Sequence, residues 1–151
     1  MGQEVSTMEQ LSESEKKKRY LREYRKSVNR LKRLWAELAE VKSMKASISV
    51  NNDGMPHGGG QSDLSGYAAS LDSLERKIVS ERYQRIMKYQ EIKTCIDALE
   101  DSRESDVLFY RYVKGLDWWK IADKMGYTER WILKLHGKAL AHLKISEKSS
   151  L

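Results

Sequence analysis

The sequence contains very few of the residues that interrupt helices or crosslink chains. Of 151 residues, one is proline, one is cysteine and one is phenylalanine. No proline falls between residues 14 and 48 or between residues 66 and 100, so helix is expected over most of the chain. The single cysteine, Cys95, excludes an internal disulfide and a cysteine-anchored zinc site, and it fits a reducing compartment.

Long apolar runs are also absent from the sequence. No stretch approaches the length of a membrane span, and no signal-peptide core is present. We therefore expect a cytoplasmic protein with no membrane partner.

Positive charge is in excess and is concentrated at the two ends of the chain. Lys and Arg number 28 against 22 Asp and Glu, for a net charge of +6. Residues 1–48 carry 12 basic against 7 acidic side chains, and residues 105–151 carry 9 against 5. This balance favours a polyanionic partner. The run KKKRYLREYRK (residues 16–26) has two interpretations, a phosphate-binding surface or a solvated helix face. The second is favoured because Glu15 and Glu23 are interleaved.

Two long stretches have apolar residues at steps of three and four, which predicts two amphipathic helices. They are expected to form an antiparallel hairpin with a coiled-coil-like seam, or to pair between copies in a homo-oligomer. The predicted organisation is a flexible N-terminus at 1–13, a hairpin at 14–100 with a glycine-rich loop at 49–65, a helix-turn-helix domain at 101–145 and a flexible tail at 146–151. The first stripe is Tyr20, Tyr24, Val28, Leu31, Leu34, Trp35, Leu38 and Val41. The second is Tyr67, Leu71, Leu74, Ile78, Ile86, Tyr89, Ile92, Ile96 and Leu99.

The stretch GMPHGGGQSDLS, residues 54–65, has the glycine content of a phosphate-binding loop without its chemistry. Gly60 and Gln61 stand where a nucleotide loop needs lysine and a hydroxyl residue. We interpret the stretch as a turn between the long helices, with Ser62 or Asp63 capping the second helix. A role of this loop in binding a partner stays open.

The segment WWKIADKMGYTERWILKL, from Trp118 to Leu135, has the pattern of a helix-turn-helix. A small residue, Ala122, stands where two steeply crossing helices approach, and Gly126 can end the first helix in the left-handed conformation. Asp117 is expected to cap the first helix and Thr128 the second. The predicted structural positions are Trp118, Ile121, Ala122, Gly126, Ile132 and Leu135. The alternative is a helical hairpin with no role in DNA binding.

The second helix of this unit, from Thr128 to about Lys144, has a basic outer face. In a helix-turn-helix this helix enters the major groove with its N-terminal residues nearest the bases. Arg130 and Lys134 are then candidates to donate to guanine, and Glu129 to accept from cytosine. The candidates for the sugar-phosphate backbone are Thr128, Lys138, Lys120 and Lys124.

The segment Leu99 to Leu143 resembles region 4 of bacterial sigma factors, through VL…RY…GL.W..IA..MGYTER and the closing KALAHL. With the hairpin and the GMP.G.G.SD loop, the chain resembles the RinA/ArpU-like late transcription activators of Gram-positive phages and prophages. The resemblance implies sequence-specific binding of double-stranded DNA in the bacterial host cell, with contact to host RNA polymerase. It maps base reading onto Glu129, Arg130, Leu133 and Lys134. Leu133 replaces the polar residue usual in sigma factors, so the target is expected to differ from the −35 element.

Two other functions compete with transcriptional regulation. One is a phage small terminase subunit, which also joins a helix-turn-helix to helical oligomerisation segments. The other is an interaction protein that docks on polymerase without reading DNA. The sequence has no paired-carboxylate, nucleophile–base or metal-ligand constellation at usable spacing. We therefore predict that the protein is not an enzyme and uses no cofactor and no metal.

Overall fold

A computed structural model describes residues 2–50 and 60–146 of the chain, with side chains described from residue 12 to 45 and from 64 to 146. The described residues are helical and contain no strand, which confirms the all-α class. A π-helical turn at Phe109–Val113 continues the third of the five α-helices. These are α1 (Gly2–Val50), α2 (Gly60–Asp97), α3 (Ser102–Leu108), α4 (Trp118–Met125) and α5 (Glu129–His142).

α1 extends further than predicted in both directions, and α2 begins earlier than predicted. α1 begins at Gly2 rather than near Ser14, because the segment before Ser14 has no proline and several good helix formers. α1 reaches Val50 and α2 starts at Gly60, so Ser62 and Asp63 lie inside the first turn of α2 instead of capping it. Residues 51–59 of the predicted loop and residues 147–151 of the predicted tail lie outside the described residues.

The described chain forms two compact units, and each contains part of both long helices. One unit is Ser27–Arg85. The other joins the beginning of α1, through Lys26, to everything from Ile86 onward. We call this second unit the C-terminal unit. The predicted domain boundary between residues 100 and 101 falls inside it. Among the described residues, no helix combines the length and apolarity that a membrane crossing requires.

In the unit Ser27–Arg85, α1 and α2 run antiparallel with their apolar stripes facing each other. Arg30 Nε lies 2.6 Å from Glu81 Oε1, so an ion pair joins the two helices beside their apolar stripes. Trp35, predicted to lie in the seam, is 45% exposed. Trp35 follows Leu34 directly, and successive side chains of a helix point about 100° apart, so Trp35 points away from the apolar stripe. The buried apolar residues of this unit are Val28, Leu31, Leu74 and Ile78.

In the other unit, the beginning of α1 packs against the end of α2 and against the C-terminal helices. Tyr24 and Tyr89 have ring centroids 5.8 Å apart. Lys17 Nζ donates to the Leu140 carbonyl at 2.8 Å, which satisfies an acceptor in the last turn of α5. Ile86, predicted to be buried, is 55% exposed, because the α2 seam passes through the preceding residue. The buried apolar residues contributed by the two long helices here are Tyr20, Leu21, Tyr24, Ile92 and Ile96.

The connection between the π-helical turn and α4 is tied to α1. Gly115 has a φ of +70°, in the left-handed region, and a Cβ there would lie 2.8 Å from Arg25 Nε. Arg25 Nη1 also donates to the Val113 carbonyl at 3.4 Å. A side chain at Gly115 would meet both backbone strain and this guanidinium.

Candidate nucleic-acid interface

α4 and α5 are joined by a tight turn whose backbone geometry follows from two residues. Gly126 has a φ of +75°, and its N–H donates to the Ala122 carbonyl at 2.9 Å. The Tyr127 N–H donates to the same carbonyl at 3.0 Å, which ends α4 abruptly. Thr128 Oγ1 accepts from the Trp131 N–H at 3.2 Å and caps α5. The predicted helix end at Gly126 and the predicted cap at Thr128 are confirmed.

The predicted cap of α4 needs a correction. Asp117 stands at the N-cap position with extended backbone, but its side chain makes no capping hydrogen bond. Its carbonyl accepts from the Ile121 N–H at 3.1 Å, as the backbone of any residue would. The start of α4 is therefore fixed by packing of its apolar face rather than by a side-chain cap.

A small apolar core holds α4 and α5 against α3. Ala122 is 6% exposed where the two helices cross, which explains why a small residue stands there. Burying each large apolar side chain contributes roughly 1.5–3 kcal/mol, so the orientation of α5 is well fixed. The core comprises Val107, Ile121, Ala122, Ile132 and Leu135, with Tyr110, Leu116, Trp118, Met125 and Trp131 packed around it.

The outer face of α5 carries a row of cations. Arg130, Lys134 and Lys138 are exposed and follow one another at steps of four residues, about 6 Å along the helix axis. None of them forms an ion pair with a described carboxylate. Glu129 and Leu133 are exposed on the same helix, and Leu133 is 49% exposed. All four predicted base-reading residues therefore lie at the surface of α5.

The predicted backbone-contacting lysines rest on aromatic rings at the surface. Lys138 Nζ lies 5.4 Å from the ring centroid of Trp131, and Lys120 Nζ lies 5.4 Å from that of Trp119. Lys124 Nζ lies 5.3 Å from the ring centroid of Tyr110. Such contacts orient an ammonium group without neutralising it. The three lysines thus keep their charge available to an anion.

Two histidine contacts lie near the site, and sequence reasoning did not find them. Tyr112 Oη and His136 Nε2 are 2.8 Å apart in the interior. Burial, helped by nearby cations, lowers the pKa of His136 to about 4. His142 Nδ1 lies 3.0 Å from both carboxylate oxygens of the buried Glu104. The only available signal was the spacing of His136, four residues after Ile132 on the apolar side of α5.

The described side chains form no metal site, and comparison with known proteins shows no family for the chain. No three His, Cys, Asp or Glu residues converge within the described part of the chain. The chain matches no protein-family model, no curated protein and no solved structure. The functional hypothesis therefore rests on the outer face of α5. This short helix is rigidly held and carries a row of cations that no described carboxylate neutralises.

Proposed function

We propose that the chain is a sequence-specific regulator of transcription that binds double-stranded DNA. In this proposal α4, its turn and α5 act as a helix-turn-helix similar to sigma factor region 4, and α5 enters the major groove. The observation that carries the proposal is the exposed row of Arg130, Lys134 and Lys138 on α5, which no described carboxylate neutralises. The major groove is about 12 Å wide and admits one α-helix.

The residues nearest the start of α5 are assigned to the bases. Arg130 and Lys134 donate to guanine O6 and N7, and Glu129 accepts from cytosine N4. Leu133 has no polar atom in its side chain, so it contacts a thymine methyl group instead. This assignment predicts a target that contains both G·C and A·T pairs.

The remaining cations are assigned to phosphates, which position the protein without reading sequence. Lys138 lies further along α5, and Lys120 and Lys124 lie on the exposed side of α4. Thr128 is already an acceptor in the cap of α5, and its hydroxyl proton remains free to donate to a phosphate oxygen.

The physiological setting is proposed from the sequence resemblance alone. The similarity to RinA/ArpU-like activators points to a late promoter of a phage or prophage, in the cytoplasm of the bacterial host and together with host RNA polymerase. The alternative function, a small terminase subunit, receives support from the long helix pair, which suits a homo-oligomer. Mapping bound DNA in a host that carries the phage genome separates the two: occupancy at a promoter supports regulation, and occupancy at the packaging site supports the terminase.

Selection from a library of random duplexes tests sequence-specific binding directly. The full-length protein is incubated with the library, and bound duplexes are recovered and sequenced over several rounds. Enrichment of one shared motif is the expected result. Recovery of duplexes with no common sequence contradicts the proposal, and so does a failure to bind any duplex.

A further inference from the structure

Three cations from two segments converge beside α5, on a surface that the proposed function does not use. Lys18 and Arg22 lie on α1, and Arg111 lies in the π-helical turn. All three act electrostatically on His136, and each lowers the pKa of its ring. The Arg111 guanidinium lies 4.2 Å from the ring centroid of Trp118, whose ring is in turn 4.7 Å from that of His136.

The position of the two α1 cations is fixed by contacts on either side of them. Before them, Lys17 Nζ donates to the Leu140 carbonyl of α5 at 2.8 Å. After them, Arg25 donates to the carbonyl of Val113. The segment of α1 that carries Lys18 and Arg22 is therefore held against α5 and the π-helical turn instead of projecting as a free helix.

This cluster has a surplus of positive charge. Among the described carboxylates, Glu15 acts on Tyr112 together with Arg22 and Arg111, and it is paired with Lys18 at 3.4 Å. Arg22 is exposed and forms no ion pair with a described carboxylate. Like charges four residues apart on a helix are destabilising by roughly 0.2–0.5 kcal/mol. A cluster with more cations than carboxylates favours an anion at the surface.

The cluster lies along one flank of the proposed groove-facing surface. His136, whose pKa the three cations lower, follows Leu133 by three residues, so the buried imidazole and the exposed Leu133 side chain are neighbours on α5. Lys138 rests on Trp131, on the other flank of the helix. The cations of α1 and the π-helical turn therefore extend the basic surface of α5 sideways, past Leu133.

We propose that Lys18 and Arg22, with Arg111, form a second phosphate-binding surface that contacts the backbone of the same DNA duplex. The inference rests on the proposed function, because it places the duplex against α5. It makes the beginning of α1 part of the DNA-binding surface. Arg111 also donates to the Leu116 carbonyl at 3.1 Å and therefore has a structural role, so the test uses the two α1 residues.

The experiment measures the salt dependence of binding to a fluorescein-labelled random-sequence duplex of about 30 bp. The variant is the full chain with Lys18→Gln and Arg22→Gln. The matched control is Arg76→Gln with Lys93→Gln, which removes the same charge from exposed positions of α2. Each lost phosphate contact lowers the slope of log K against log salt by about 0.9. We expect a loss of about two in the α1 variant and an unchanged slope in the control. Helical circular dichroism verifies that each variant is folded, and Arg22→Lys should keep the wild-type slope.

A third variant, Lys138→Gln on α5, separates this inference from the proposed function, because Lys138 is assigned to a phosphate. If Lys138→Gln lowers the slope and the α1 variant does not, the second phosphate surface is overturned and the function of α5 stands. If the α1 variant lowers the slope and Lys138→Gln does not, binding through α1 stands and the role of α5 is overturned. A wild-type protein that binds no duplex overturns both.

Discussion

Tyr112 and His136 share a buried hydrogen bond of 2.8 Å that links the π-helical turn to α5. Their rings are stacked with centroids 5.7 Å apart, and Trp118 packs edge-on against the imidazole. The π-helical turn rotates Tyr112 into this position, since its backbone bonds span five residues, as in the Lys114 N–H to Phe109 carbonyl bond. α5, the helix proposed to enter the major groove, is thus held in place by a buried polar contact as well as by its apolar core.

This contact predicts a loss of stability in mild acid. The pKa of His136 is about 4 in the folded chain, against 6.5 for an unperturbed imidazole, because burial and nearby cations disfavour its charged form. The unfolded chain therefore binds more protons between pH 6.5 and 4, and the free energy of unfolding falls as the pH drops through this window. The change between pH 7 and 5 is about 2 kcal/mol.

Urea unfolding at about pH 7 and about pH 5 measures this change, with His136→Gln as the control. Other groups that titrate in this range contribute to both proteins, so the difference between them isolates the imidazole. We expect the variant to lose about 2 kcal/mol less than the wild type on acidification. Equal losses in the two proteins would show that His136 is not buried in its neutral form.

The cap of α5 predicts a second, local effect on stability. Removing the Thr128 hydroxyl leaves the Trp131 N–H without its partner, so Thr128→Ala should cost about 1 kcal/mol. Thr128→Ser keeps the oxygen and should remain within a few tenths of a kcal/mol of the wild type. Denaturant midpoints of the three proteins test this, and a fully stable Thr128→Ala protein would argue against the cap.

Two glycines in the same unit predict opposite responses to the same substitution. Gly126→Ala places a Cβ on left-handed backbone and should destabilise the fold by roughly 1–2 kcal/mol. Gly137 lies inside α5, and no neighbouring atom lies within 4 Å of the position that a Cβ would occupy there. Gly137→Ala should therefore stabilise the fold by roughly 0.5–1 kcal/mol. Thermal unfolding of both variants gives the signs, and two changes of the same sign would contradict the turn geometry.

Local features of the C-terminal unit were predictable from the sequence. The turn needs a residue free to adopt positive φ, and Gly126 supplies it. The cap needs a side-chain oxygen that accepts a hydrogen bond from the N–H three residues later, and Thr128 supplies it. Apolar spacing placed Ile132 and Leu135 in the core, because helical periodicity decides which side of a short helix is buried.

Features that depend on packing over long sequence distances were not predictable. The contact of Lys17 with Leu140 joins residues 123 positions apart, and no local pattern encodes it. The burial of His136 depends on Tyr112, which the π-helical turn orients. The predicted seam failed at Trp35 and Ile86, because apolar character alone does not decide which of two adjacent residues faces the partner helix.

The most direct test of the central claim is base preference at single positions of the selected target after Arg130→Ala. Binding is measured to the selected duplex and to every single-base variant of it, with Lys138→Ala in parallel. Arg130→Ala should relax preference at one position at a cost of roughly 1–3 kcal/mol, while Lys138→Ala should weaken all duplexes alike and reduce the salt slope by about one. Unchanged affinity and base preference in the Arg130→Ala protein would contradict the placement of α5 in the major groove.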